Sequence, residues 1–249
     1  MRDFTVKVYC ELLRNLKAGG FSVYSVEAWI KENPGKGVLI RHDIDRKNKN
    51  AVKIAQIEAD FGIKTTYYFR FTSSFDTVAI RKISDLGHRI GYHYEDLSTA
   101  RGDYEKAIEL FKEHLEKLRA IAEVKTIAMH GRPLLPWDNR DLWKRYNRKD
   151  YGLLAEAFLD IDYSDMYYFT DTGRTWGSTK ANIRDTVESS LQVDVDRTDS
   201  LIAFLNEHKE SKIALVMHPE RWEDNIIKWV VQLIKDHIIN PIKCILRKF

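Results

Sequence analysis

The chain has 249 residues, 44% hydrophobic and 31% charged, a composition that supports a packed core and excludes a disordered polyelectrolyte. Forty Lys and Arg stand against 37 Asp and Glu, for a formal charge of +3, and the signs are interspersed, so nothing points to a nucleic-acid partner. No run approaches the ~20 apolar residues of a membrane span, and the charged opening "MRDFTVKVYCELLRNLKAGG" lacks a signal peptide's apolar core; both favour a cytoplasmic address.

Residues 4–18 have the spacing of an amphipathic helix, with Val8, Leu12, Leu13 and Leu16 on one side and Gly19-Gly20 as the stop. A short helix over 25–32 ends at "NPGKG". From there the pattern alternates. "GVLIRH" reads as a strand, and 48–61 as a helix with Ala51, Ile54, Ala55 and Ile57 at helical spacing. "KTTYYFRF" (64–71) is β-branched and aromatic, hence a strand; 76–87 is a helix ended by glycine. "HRIGYH" is a strand, 103–122 a helix and "KTIAMH" (125–130) a strand. Later come a strand at "MYYFT" (166–170), a helix at 198–209 with Thr198 as N-cap, a strand at "KIALVMH" (212–218) and a final helix from about 221. Cys10 and Cys244 lie near opposite ends and suggest neither a disulfide framework nor a metal site.

Alternating strands and helices imply parallel strands with right-handed crossovers, and such sheets place chemistry at the carboxyl ends of their strands. Polar residues recur there: Asp43 and Asp45 in "LIRHDIDRKNKN", then Arg70, His93, His130, Asp171 and His218. Asp43 and Asp45 are two residues apart, so an extended strand points both to one face. One carboxylate can then hold a cation while the other acts as a base. Strand-end histidines can complete an N/O site of the kind zinc accepts. His42 points to the other face and reads as structural, and His88 as a local hydrogen-bonding group. Trp137, Trp143 and Trp222 read as packing residues.

Joined to "GHRIGYH", "MHGRP" and "VMHPERW" in this order, the aspartate pair resembles the polysaccharide deacetylase (NodB-homology) family of metal-dependent carbohydrate esterases, from about residue 36 to 225. The resemblance implies a distorted (β/α) barrel with outer helices. It also implies one catalytic domain over 1–249, with helices in 1–35 and a helical tail, 226–249, packed on it. It makes Asp43 the general base, Asp45 a metal ligand and His93 the first histidine ligand of a divalent metal, zinc foremost. The family's second histidine position holds Leu97, so either Glu95, Asp96 or His130, with His130 foremost, supplies the missing ligand, or no metal is bound. By the same resemblance Arg132 of "GRP" orients the base, Trp176 of "TDTGRTW" walls the acyl pocket and His218 is the general acid. Asp171, Glu95, Asp96 and Arg70 are expected to contact substrate. So are Asp138, Asn139 and Arg140, although Asp138 also reads as a helix N-cap.

The expected activity is removal of an acyl group, N-acetyl foremost, from a sugar or a lipid- or nucleotide-linked sugar. The alternatives are a non-catalytic carbohydrate-binding protein on a degenerate deacetylase scaffold, or a hydrolase of another non-peptide C–N bond. The apolar, basic stretch 237–249 is expected to pack on the barrel.

Overall fold

The computed structural model describes residues 2–177, 184 and 186–234. Helix α1 (Val6–Ala18) starts at Thr5, whose hydroxyl accepts from the Val8 amide, and buries Val8, Leu12, Leu13 and Leu16. Then come β1 (Val23–Tyr24), α2 (Val26–Glu32), β2 (Gly37–Ile44), α3 (Asn48–Asp60), β3 (Thr66–Phe69), α4 (Thr77–Asp85) and β4 (Arg89–Tyr94). The one-turn α5 (Asp96–Thr99), α6 (Tyr104–Arg119), β5 (Val124–Met129), β6 (Ala155–Glu156), β7 (Met166–Thr170), α7 (Thr198–Glu207) and β8 (Lys212–Met217) complete the order. Beyond β8, Pro219–Arg221 form a 3-10 turn and the chain is helical over 226–234. The remainder of the expected tail, with Cys244 and 237–249, lies outside the described residues.

All pairings are parallel, in the order β6-β5-β4-β3-β2-β8-β7. β1 shares one edge of β2 with β3, pairing at Val38 and Leu39 where β3 takes over from Arg41. The result is a curled, barrel-like parallel sheet with helices, the architecture expected from the sequence. Its row ends at β6 on one side and β7 on the other. β2 lies inside the sheet, between β3 and β8, and is buried along its whole length, so its carboxyl end faces the strand ends on either side.

Two local outcomes differ from the sequence reading. Arg197, not Thr198, occupies the N-cap position of α7. The Thr198 amide and hydroxyl instead donate to Asp3 Oδ2 at 2.8 Å and Oδ1 at 2.6 Å, so a carboxylate from the far end of the chain does the capping. After β8 the strand passes into a 3-10 turn because Pro219 at its first position cannot continue the ladder.

Alternation along β2 assigns its faces. His42 turns toward α3 and meets Glu58 Oε1 at 2.8 Å. Glu58 is fully buried and also accepts from the hydroxyls of Tyr9 (2.5 Å), Tyr67 (2.6 Å) and Thr65 (2.8 Å). Burial opposes its charge, yet His42 and these donors outweigh it and bring the carboxyl down to about 2. The network ties α1, β2, α3 and β3 together and gives His42 the structural role expected of it. His88 does not bond locally: its Nε2 donates to the Ala55 carbonyl on α3 at 2.9 Å and its Nδ1 accepts from the Thr65 amide at 3.2 Å.

Gly91 allows a close approach at the middle of the sheet. Tyr68, Gly91 and Thr126 are adjacent on β3, β4 and β5, and the Tyr68 ring crosses Gly91 to place its hydroxyl 3.0 Å from Thr126 Oγ1. A Cβ at position 91 would sit 2.2 Å from that ring. Gly91→Ala is therefore expected to cost about 1–3 kcal/mol by overpacking, read as a lower urea midpoint at unchanged m-value. An unchanged midpoint would contradict this packing.

Candidate metal centre

Three side chains from three strand ends converge: Asp45 after β2, His93 on β4 and His130 after β5, with one potential ligand atom of each within 4.8 Å of the others. His130 Nε2 lies 3.1 Å from Asp45 Oδ1 and His93 Nε2 3.8 Å from the same oxygen. The two rings stand nearly perpendicular, at 84° with centroids 5.1 Å apart. Asp45 Oδ1 is buried and accepts no hydrogen bond among the described residues. A buried carboxylate oxygen left open while two imidazole nitrogens point at it fits a cation better than it fits a closed polar network.

Surrounding contacts set the orientation of each ligand. His93 Nδ1 donates to the Ala128 carbonyl at 2.9 Å, which turns Nε2 toward Asp45 and fixes the tautomer. Burial lowers the affinity of His93 for a proton, against the pull of Asp43, so the neutral, ligating form is favoured. The His130 backbone is held by its amide on Tyr94 O (2.8 Å) and by Asn139 Nδ2 on its carbonyl (2.8 Å). Its other nitrogen, Nδ1, faces Glu95 Oε2 at 3.4 Å. Burial opposes a second proton on His130, but Asp45 and Glu95 outweigh it and push the imidazole up to about 9. The Asp45 turn is fastened by Ser73, which donates to its carbonyl at 2.8 Å, and by Ser74, which donates to that of Ile44 at 2.7 Å.

Of the alternatives open for the third ligand, only His130 faces the cluster. Glu95 is tied to Arg70 through Nη2 at 2.8 and 2.9 Å, and to the Thr72 hydroxyl. Asp96 lies behind β4, accepting from Tyr92 at 2.8 Å and paired with His114 Nδ1 at 2.7 Å. Leu97 is buried in the core.

Next to the cluster, His218 at the end of β8 directs Nδ1–H to Asp171 Oδ1 at 2.7 Å. Asp171 is fully buried and also receives the His218 amide (2.9 Å), Arg221 Nη1 (2.9 Å) and Trp222 Nε1 (3.1 Å). Burial and Arg221 oppose a charged His218, yet Asp171 outweighs them and raises it above its usual value. Asp43 is buried beside Arg41, whose Nη2 is 3.4 Å from Oδ2.

Several expected substrate contacts have other occupations. Asp171 is saturated by its donors and out of reach, so it orients His218 rather than a ligand. Trp176 is fully buried against Phe4 and Trp222, with Nε1 on Thr198 Oγ1 at 3.0 Å, so its ring packs in the core. Asn139 bridges Ser98 N and His130 O. Asp138 caps the 3-10 turn Asn139–Lys144 through the Arg140 amide and pairs with the Arg140 guanidinium at 2.7 Å. Arg140 also lines a cleft with Phe158, Ile161 and Tyr163 at the β6–β7 seam. Arg70 braces Glu95 and lies 3.7 Å from Asp45 Oδ1. Arg132 is nearest to Glu95, at 3.7 Å, rather than to Asp43, because the guanidinium beside Asp43 comes from β2 itself.

The sequence reading missed Arg41, Glu220 and the donors Arg221 and Trp222. Arg41 was detectable, since alternation puts it on the Asp43 face. Glu220 was not, because its position depends on the turn after β8. It is 4% exposed, its Oε2 accepts no hydrogen bond among the described residues, and burial together with Asp45 pushes it up to about 7.

No protein-family model and no curated protein matches the chain. Among solved structures it is similar to a Streptococcus mutans CE4 esterase, with 17% identity, 89% of this chain and 90% of that one covered, and a TM-score of 0.48. It is similar to a family 4 carbohydrate esterase from Bacillus anthracis at 14% identity, 92% of each chain and a TM-score of 0.38. A CE4 family pseudoenzyme from Bacillus anthracis matches at 13% identity over 80% of this chain, with a TM-score of 0.45. This chain spans 59% of the length of that pseudoenzyme. These neighbours include a pseudoenzyme as well as esterases.

The raised His130 gives a prediction with a definite sign. A histidine whose folded pKa of about 9 exceeds its unfolded value of ~6.5 adds stability that is complete below pH 6.5 and lost as pH rises toward 9. Metal-free protein held in chelator should therefore lose more urea resistance between pH 6.5 and 9 than His130→Asn does. Parallel profiles would contradict the charged His130.

Proposed function

We propose that this protein is a metal-dependent hydrolase that removes an acyl group, N-acetyl foremost, from a sugar or a sugar-containing substrate. What carries the reading is the convergence of an O/N/N donor set, Asp45, His93 and His130, with a candidate base, Asp43, and a candidate acid, His218, at the carboxyl ends of strands of one parallel sheet. The donor set suits zinc. A divalent cation held there would supply an electrophile for the acyl carbonyl and its attacking water.

The remaining steps belong to side chains. Asp43 takes a proton from the water as its oxygen attacks the acyl carbon. His218, kept protonated by Asp171, gives its proton to the nitrogen or oxygen of the sugar as the acyl bond breaks, leaving a carboxylic acid and a free amine or alcohol. Asp171, Arg221 and Trp222 hold the imidazole so that Nε2, rather than Nδ1, serves the substrate.

His218→Ala tests the reading, because a poor leaving group needs the acid and a good one does not. The variant should lose about tenfold or more in kcat/KM for an N-acetylated amino sugar relative to an activated aryl ester. Equal losses on both substrates would remove His218 from the chemistry. A zinc-loaded wild type that hydrolyses neither would favour a carbohydrate-binding protein.

A further inference from the structure

Arg41 is a buried cation that the hydrolytic steps above leave unused. It is 1% exposed, and Nε, Nη1 and Nη2 make no hydrogen bond among the described residues. Leaving a guanidinium in that condition is costly unless another charge or a ring face offsets it. The only carboxylate oxygen in ion-pair contact with it, among the described residues, is Asp43 Oδ2 at 3.4 Å. The Phe158 ring lies 4.2 Å from its Cζ and the Tyr68 ring 6.0 Å, distances at which ring faces stabilise a desolvated cation.

The cover over Arg41 is fixed in place. Glu156 Oε2 accepts from the Phe158 amide at 2.7 Å and the Leu159 amide at 2.8 Å, and Oε1 accepts from Met129 N at 2.9 Å. Glu156 is itself fully buried at the β6 edge of the sheet. Two roles are then in competition for a cation so placed: an anion subsite for substrate, or a partner dedicated to Asp43. Ring cover and lack of exposure oppose entry of a ligand, whereas the two-residue spacing on β2 keeps Asp43 on the same face.

We propose that Arg41 is the positioning residue of Asp43: the guanidinium holds Oδ2 inward and leaves Oδ1 as the oxygen that receives a proton. Asp43 Oδ1 accepts no hydrogen bond among the described residues. The resemblance to deacetylases allots this task to Arg132, but that side chain is 39% exposed and lies against Glu95. In this chain the arginine that serves the base has moved onto the same strand as the base. The catalytic consequence rests on the hydrolase reading; the pairing does not.

Two double-mutant cycles on the zinc-loaded protein test the inference, one of Arg41→Met with Asp43→Asn and one of Arg132→Met with Asp43→Asn. Arg41→Met should lower kcat by about tenfold or more with KM changed less than about twofold, and should lower the residual rate of Asp43→Asn by less than about twofold. In urea the Arg41/Asp43 double variant should be more stable than the sum of its single losses, because each single change strands a buried charge. The Arg132 cycle should be additive. If Arg41→Met does not fold, Arg41→Lys, which keeps the charge without the planar fork, should fall between wild type and Asp43→Asn in kcat. Additivity in the Arg41 cycles, or coupling through Arg132 instead, overturns the assignment. If the wild type turns over nothing, the hydrolase reading fails by itself, and the urea cycle still decides the pairing.

Discussion

The proposed cation site depends on one carboxylate oxygen, Asp45 Oδ1. That oxygen sits just past the end of β2, an interior strand of a parallel sheet, and is approached by nitrogens of His130, Arg70 and His93 at 3.1, 3.7 and 3.8 Å. Burial works against its charge, yet His130, His218 and His93 outweigh it and hold the carboxyl well below the usual range. A negative charge kept in such a place organises its neighbours. Its position follows from β2, whose pairing with β3 on one side and β8 on the other leaves the carboxyl end open to the ends of the adjoining strands.

A second layer of contacts fixes the orientation of the converging side chains. The Ala128 carbonyl selects which nitrogen of His93 faces inward. Glu95, clamped by Arg70, stands behind His130, and Asn139 latches the His130 backbone to the start of α5. Asp171 does for His218 what the Ala128 carbonyl does for His93. These residues touch His93, His130 and His218, and on the proposed reading their loss is expected to act through misorientation.

The sequence made the strands and the polar positions at their ends legible, because apolar runs bounded by glycine and polar turns are local signals. Asp43, Asp45, His93, His130 and His218 were visible as strand-end residues for that reason. Which of them meet depends on register between strands distant in sequence, and the grouping of Asp45, His93 and His130 came from the family resemblance rather than from local pattern. Residues named as substrate contacts proved hardest to place. Asp171, Asp96 and Asn139 look like surface polar groups in a linear reading, yet each is buried and consumed by hydrogen bonds to its neighbours. Trp176 lies in a loop of polar residues but packs against Phe4, from the opposite end of the chain. The Arg41–Asp43 pair sits within "IRHD", where alternation would put both on one face, but the resemblance gave the task to Arg132 of the distant "GRP".

The most direct test of the cation site is crystallographic. Crystals soaked in zinc and measured on both sides of the zinc absorption edge should give an anomalous peak within coordinating distance, about 2.0–2.2 Å, of Asp45 and one nitrogen each of His93 and His130. In His93→Ala crystals treated alike, that peak should vanish. No peak at these residues, or an equal peak in the variant, would contradict the account.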